Sequence, residues 1–309
     1  MPEDPLQRQL QFVTGKGGVG KSVVAAAIAW RLARDGRRVL LLQINAEDSH
    51  SGPLEVAPID ASLREVLPGL HAANTTPMDA LREYGMIVLR FRAVYNAVFE
   101  NRLIKYFLRF IPSLAELNML GKAWYHLGTE SSHDQVFDHV IVDAPATGHG
   151  VSFIRVARVV ADGAVAGPLQ RQAAAMAATI EDPERTAVHV VCLPEQLAVE
   201  EAEELARTLR QQGSAPLGVG VINRFGPHLF RAGDHELLAC AQAQPGGEQA
   251  TSLALGLARA RREQAERALA EQVRQRATID WREVPDLVEP IRRRAEVEEI
   301  GGLLFGRDP

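Results

Sequence analysis

The chain has 309 residues, of which 46% are apolar and 24% charged, with a formal net charge of −5. That length suits one large α/β domain or two small ones, and the acidic balance gives no electrostatic reason to expect a nucleic-acid partner. Cys192 and Cys240 are far apart and in no C-x-x-C, which fits a reducing cytosol and offers no zinc site within one chain.

Met1 to Gln9 is polar and lacks the apolar core of a signal peptide. Gln11–Thr14 then reads as a short strand and Lys21–Arg34 as a helix rich in alanine and branched apolar residues. Further strands are expected at Arg38–Ile44, His139–Asp143, Ala187–Leu193, Leu217–Asn223 and Thr278–Val284, several of them near-continuous apolar runs of the kind buried on both faces. Helices are expected at Gly150–Val160, Val199–Gln211 and Ser252–Arg276, the last an amphipathic helix whose Arg/Glu face is solvated. The alternation predicts an α/β fold, a doubly wound, mostly parallel sheet in a single domain spanning 1–309.

Almost a hundred residues separate the second and third of these strands, far more than a crossover helix needs. Leu63–Val66 and Leu81–Leu120 look helical, with a short extended piece near Leu70–Asn74, so a helical insertion over about 54–135 is expected to project from one face of the domain. The greasiest stretch, Met86 to Leu120, is broken by Arg90, Arg92, Glu100, Arg102, Lys105 and Arg109, too often for a membrane span. Leu103 to Leu120 serves either internal packing, the commoner use of such spacing, or an exposed surface for a partner. Ala241–Gly247 has the composition of a loop, and the connection from Gly150 to Ala187 is read as short.

Between the first strand and the first helix stands Gly15-Lys16-Gly17-Gly18-Val19-Gly20-Lys21-Ser22, a complete G-x-x-x-x-G-K-[ST] in its required strand–loop–helix context. The glycines let successive backbone N–H groups turn onto phosphates, and the helix aims its positive end at them. Lys21 is expected to reach the β- and γ-phosphates of ATP, and Ser22 to hold Mg²⁺. Val140-Ile141-Val142-Asp143 is an apolar strand ending in an acid, which places Asp143 beside Ser22 at the cation. Lys16 has no task in an ordinary phosphate loop, and its side chain is free to reach elsewhere.

Gly-Lys-Gly-Gly-Val-Gly-Lys-Ser resembles the deviant Walker A loop of the MinD/ParA, nitrogenase iron protein and ArsA/Get group. Asp143-Ala144-Pro145-Ala146-Thr147-Gly148-His149 is similar to the D-T-A-P-T-G-H switch II of the ArsA/Get ATPases, with the Ala-Pro pair displaced by one position. Val191-Cys192-Leu193-Pro194-Glu195 resembles the family's strand and loop over the base, implying that Pro194 and Glu195 bind the nucleotide. Val221-Ile222-Asn223-Arg224 resembles the turn whose asparagine contacts adenine; by chemistry alone Asn223 equally caps the next loop. Asn74 to Tyr84, Ser113 to Leu117 and Gly121 to Tyr125 also match the family's pattern.

The resemblance implies a Mg²⁺-dependent ATPase in which two subunits close face to face on ATP, each lending Lys16 to the other's nucleotide. Because no second G-x-x-x-x-G-K occurs, the second subunit comes from another molecule, in a homodimer or a heterodimer with a paralogue. A cytoplasmic location and an unidentified client protein or membrane partner follow, with no zinc, since the C-x-x-C of the targeting ATPases is absent. Where the family's switch I carries a catalytic aspartate, this chain has Asn45, which orients water but takes no proton, so slow turnover is expected. Glu47 or Asp48 substitutes for that aspartate only if the loop shifts; otherwise, and in preference, both are read as solvated loop acids. The alternatives are a nucleotide-dependent scaffold without hydrolysis, the weaker half of a heterodimer, or a MinD/ParA-like positioning ATPase, against which the lack of a basic patch and of a C-terminal amphipathic anchor counts.

Overall fold

A computed structural model describes residues 4–80, 112–128, 136–145, 150–226, 229–231, 233–242, 249–276, 279–287, 291 and 293–306. Its centre is an eight-stranded sheet in the order β3-β4-β2-β5-β1-β6-β7-β8. The strands are β1 (Leu10–Gly15), β2 (Val39–Ile44), β3 (Arg64–Leu67), β4 (Leu70–Thr75), β5 (His139–Asp143), β6 (Thr186–Cys192), β7 (Leu217–Ile222) and β8 (Asp280–Glu283). Every adjacent pair is parallel except β3 with β4. The doubly wound, mostly parallel α/β fold expected from the sequence is therefore present.

The central strands β1, β2, β5 and β6 are buried along their whole length, as continuous Val/Ile/Leu runs covered on both faces must be. The order of the first parallel strands reverses at β1, whose carboxyl end lies between those of β5 and β6. A ligand crevice forms at such a switch point.

One face carries α1 (Lys21–Arg34) and, at the other end of the chain, α9 (Arg294–Phe305). Helix α1 buries nearly every residue from Val24 to Ala33, because the sheet covers one side and α9 the other. Small side chains permit that closeness: a Cβ on Gly301 would stand 3.0 Å from the Ala27 carbonyl oxygen. Trp30 Nε1 donates to Glu298 Oε1 at 2.9 Å, and Val297, Ile300 and Leu304 are fully buried. Burying each of those three aliphatic side chains is worth about 1.5–3 kcal/mol. The phosphate-loop helix is thus clamped by the C-terminal one, which sequence reasoning had not marked as a helix.

The opposite face carries α3 (Pro112–Tyr125), α4 (Gly150–Gly163), α5 (Pro168–Glu181), α6 (Gln196–Gln212) and the C-terminal half of α8 (Gln249–Arg276), whose Leu269, Ala270 and Val273 join the core. A short α2 (Ser51–Leu54) follows β2, and α7 (Asp234–Gln242) packs on α8. On α8 the charged face is not wholly solvated: Glu263 and Glu266 are buried, 1% and 6% exposed, and pair with Arg259 and Arg262, each at 2.8 Å.

Several expectations need correction. Leu63–Val66 is not helical: Arg64–Leu67 pairs antiparallel with β4 through a tight turn at Gly69, whose φ of 77° suits a residue without Cβ. The extended piece at Leu70–Asn74 is a full strand of the sheet, parallel to β2. The connection from α4 to β6 holds the whole of α5, begun by Pro168 at its first turn. Ala241 and Gln242 close α7 rather than lying in a loop. In α3, Leu117, Met119 and Leu120 are buried, so this part of Leu103–Leu120 is internal packing. Residues 81–111 of the expected helical stretch lie outside the described residues, as do 146–149 of the expected switch II and 243–247 of the expected loop.

Candidate nucleotide site

The phosphate loop leaves β1 at Gly15, whose φ is 150° and where a Cβ would meet the Val191 carbonyl oxygen at 2.2 Å. Gly18 and Gly20 are left-handed, with φ of 81° and 93°. Gly20 is the N-cap of α1 and supplies no side-chain cap, so the first N–H groups of the helix stay available to an anion. A Cβ on Gly20 would lie 2.2 Å from Asn223 Nδ2. Asn223, 4% exposed, donates from that nitrogen to the Val19 carbonyl at 2.8 Å. The turn after β7 therefore ties the loop in place across the sheet. Asn223, expected at adenine or as a loop cap, is in addition a tether on the phosphate loop, a long-range contact that local spacing cannot reveal.

Lys21 Nζ donates to the Lys16 carbonyl at 3.0 Å, which curls the loop around its own ammonium. Burial holds the Lys21 pKa below the ordinary lysine range, opposed by the negative charge of Asp143. Ser22 Oγ donates to Asp143 Oδ2 at 2.6 Å. Asp143 ends β5, is 5% exposed, and lies opposite Val13 of β1 and Gln43 of β2. The sheet register thus brings together the hydroxyl and carboxylate that the sequence assigned to a cation. These are hard oxygen donors, the chemistry that suits Mg²⁺. The glycine loop, left-handed at Gly18 and Gly20 and opening onto the uncapped start of α1, suits a polyphosphate. Buried oxygens without hydrogen-bond partners, Thr14 Oγ1 and Thr75 Oγ1, sit at the same carboxyl edge of the sheet.

Lys16 is held within the same chain: its ammonium meets Glu201 Oε1 of α6 at 2.9 Å, with side chains 46% and 36% exposed. Asn45 stands at the end of β2 in a left-handed conformation, φ 49°, exposed, its N–H donating to the Thr75 carbonyl. Its side chain makes no hydrogen bond to Lys21, Ser22 or Asp143. Asp48 is not a free loop acid. Its carboxylate accepts from the backbone N–H groups of His50, Ser51 and Ile59. Partial burial disfavours its charge, yet hydrogen bonds from the Ser51 side chain and from the backbone of Ile59, Ser51 and His50 prevail and lower its pKa. Glu47 remains exposed, as expected. Pro194 and Glu195 lie in the half-exposed turn between β6 and α6, where Glu195 is the N-cap residue. His50 escaped sequence reasoning: it is 1% exposed with Nε2 3.3 Å from Asp143 Oδ2, and only its position five residues beyond Asn45 could have hinted at that.

A tight glycine loop between a buried strand and a helix, with the loop's serine against an acid on the neighbouring strand, defines a phosphate-loop nucleotide-binding protein. The profile of the anion-transporting ATPase family matches residues 8–166, and the chain belongs to that family of ATPases. Over 255 residues it is 29% identical to the ATPase BagA of Mycobacterium tuberculosis, covering 81% of this chain and 73% of that one. It is 30% identical over 278 residues to the arsenical pump-driving ATPase of Acidiphilium multivorum, covering 80% of this chain and 44% of that protein. Over 225 residues it is likewise 30% identical to an arsenical pump-driving ATPase of Escherichia coli, covering 64% of this chain and 36% of that one. No helix among the described residues is long and apolar enough to cross a membrane.

Proposed function

We propose that this chain binds ATP with Mg²⁺ at the Gly15–Ser22 loop and that ATP closes two copies of it face to face, hydrolysis reopening them to drive a client or partner protein. The observation that carries this is the pairing of Ser22 with Asp143 at 2.6 Å beneath a glycine cradle that carries a second lysine, Lys16, on its rim. Ser22 and Asp143 would hold Mg²⁺, which would supply charge neutralisation for the triphosphate. The backbone N–H groups of residues 17–22 bind phosphate oxygens, and Lys21 exchanges the Lys16 carbonyl for a phosphate. Its lowered pKa reflects a desolvated ammonium whose full charge a bound phosphate favours. Asn223 holds the loop for the nucleotide, while Pro194 and Glu195 border the base from the β6–α6 turn.

Lys16 leaves Glu201 and reaches the nucleotide of the facing copy, stabilising charge there as an arginine finger does. Asn45 orients the attacking water without accepting its proton, so turnover is slow. The chain works as one ATPase domain in the cytoplasm. Phosphate release by the purified protein tests this reading: wild type turns over ATP in Mg²⁺ and stops in EDTA, and Asp143→Asn loses the Mg²⁺-dependent rate. Wild-type activity in Asp143→Asn contradicts it.

A further inference from the structure

The loop from Asn45 to Ser51 is fixed from two sides. Gln43, 2% exposed, donates from Nε2 to the Glu47 carbonyl at 2.6 Å and to Ser49 Oγ at 3.1 Å, and accepts from the Ser49 N–H. Asp48 gathers the N–H groups of His50, Ser51 and Ile59. Together they seat the His50 ring against the site, with Nε2 3.3 Å from Asp143 Oδ2 but not aligned as a hydrogen bond. Neither ring nitrogen has a hydrogen-bond partner. A buried polar group left unpaired is costly, and in a native fold it marks something that completes it. Packing alone needs no imidazole here, because an apolar ring of similar volume fills the same space without that cost. The oxygen that His50 faces is also the one that accepts the Ser22 hydroxyl.

We infer that His50 is a positioning residue for the cation half of the nucleotide site: through Nε2 it orients the Asp143 carboxylate toward the divalent cation that accompanies the triphosphate. The inference rests on the proposed role of Ser22 and Asp143. Groups one step outside a metal's own ligands set their orientation, and their loss typically weakens metal binding by about 10–100-fold.

The test uses the full chain and a fluorescent ATP analogue, titrated with Mg²⁺ and in EDTA, with Mn²⁺ binding followed by paramagnetic resonance. His50→Phe should weaken Mn²⁺ and Mg²⁺ binding to the nucleotide complex by about tenfold or more. Affinity in EDTA should stay unchanged, and the melting temperature should be equal or higher, since two unpaired nitrogens are gone. His50→Gln, whose amide falls near Nε2, should keep most of the cation affinity; His50→Asn, whose amide falls near Nδ1, should not. Wild-type cation affinity in His50→Phe overturns the inference. So does equal loss in the Gln and Asn variants together with lowered melting temperatures, the pattern of a packing residue. If the wild type shows no Mg²⁺-dependent nucleotide binding, the assignment of Ser22 and Asp143 fails first and the role of His50 with it.

Discussion

Lys16 of the phosphate loop and Glu201 of α6 form an ion pair of 2.9 Å within one chain. The extra lysine therefore has a resting partner, and any reach across to a second copy must first give that partner up. Both side chains are over a third exposed, so solvent screens the pair and its worth is about 0.2–1 kcal/mol. Glu201→Gln should lower the ATP concentration for half-maximal dimerisation by up to about fivefold, read by sedimentation at low salt. The effect should shrink as salt is raised. An unchanged midpoint at low salt would remove Glu201 as a competitor for Lys16.

The two lysines of the loop should separate cleanly. Lys21→Ala should weaken nucleotide binding by about 10–100-fold, the worth of a hydrogen bond to a charged group. Lys16→Ala should keep wild-type binding to the isolated chain. Calorimetric titration with a slowly hydrolysed analogue measures both. Equal losses in the two variants would place both side chains on the same nucleotide.

Gly20 should tolerate no side chain. Its φ of 93° strains any L-residue, and a Cβ would meet Asn223 Nδ2 at 2.2 Å. Gly20→Ala should cost about 1–3 kcal/mol of stability and disrupt nucleotide binding. Gly17→Ala, where a Cβ meets nothing within 4 Å and φ is not left-handed, should leave stability unchanged in a denaturant titration.

Asn45→Asp tests the cause of slow turnover. The site is exposed and left-handed, a conformation that aspartate adopts nearly as readily as asparagine, so the fold should not object. Steady-state phosphate release should rise by as much as about 10²-fold if a proton acceptor is what the site lacks. Equal rates would show that Asn45 does not limit hydrolysis.

Acid should destabilise the fold through His189, which is fully buried between β1 and β7. Its Nδ1 accepts from the Val219 N–H at 3.0 Å and its Nε2 lies 3.0 Å from Gln11 Oε1, which fixes a neutral ring. Burial, then the charge of Arg282, pushes its pKa down from 6.5 to about 3. Between those values the unfolded chain binds a proton that the folded chain refuses. The stability that the neutral ring contributes is therefore complete above pH 6.5 and falls as pH drops toward 3, by roughly 1.4 kcal/mol per pH unit. Burial lowers His139 and His71 as well, in the same direction. Urea midpoints from pH 7 to pH 4 should decline accordingly, and less steeply in His189→Gln.

Where one segment carried its own explanation, the sequence was legible. Leu10–Gly15, Val39–Ile44 and His139–Asp143 are apolar runs buried on both faces, and the glycine loop between β1 and α1 imposes its geometry locally. Arg64–Leu67 was misjudged because an edge strand with two charged residues has no period of its own; its partner Leu70–Thr75 makes it a strand. Helix α9 was hidden for a similar reason: Gly301 and Gly302 argue against a helix until the close approach to Ala27 shows why a glycine belongs there. The contacts of Asn223 with Val19, Lys16 with Glu201 and His50 with Asp143 join residues distant in sequence, and no spacing rule reports them.

The central claim, a pair of copies closed on ATP through Lys16, is tested most directly by sedimentation velocity with Mg²⁺ and a slowly hydrolysed ATP analogue. Wild type should sediment as a dimer with the analogue and as a monomer with ADP, while Lys16→Ala stays monomeric with both. A wild type that remains monomeric at saturating analogue, or a Lys16→Ala variant that dimerises equally well, contradicts it.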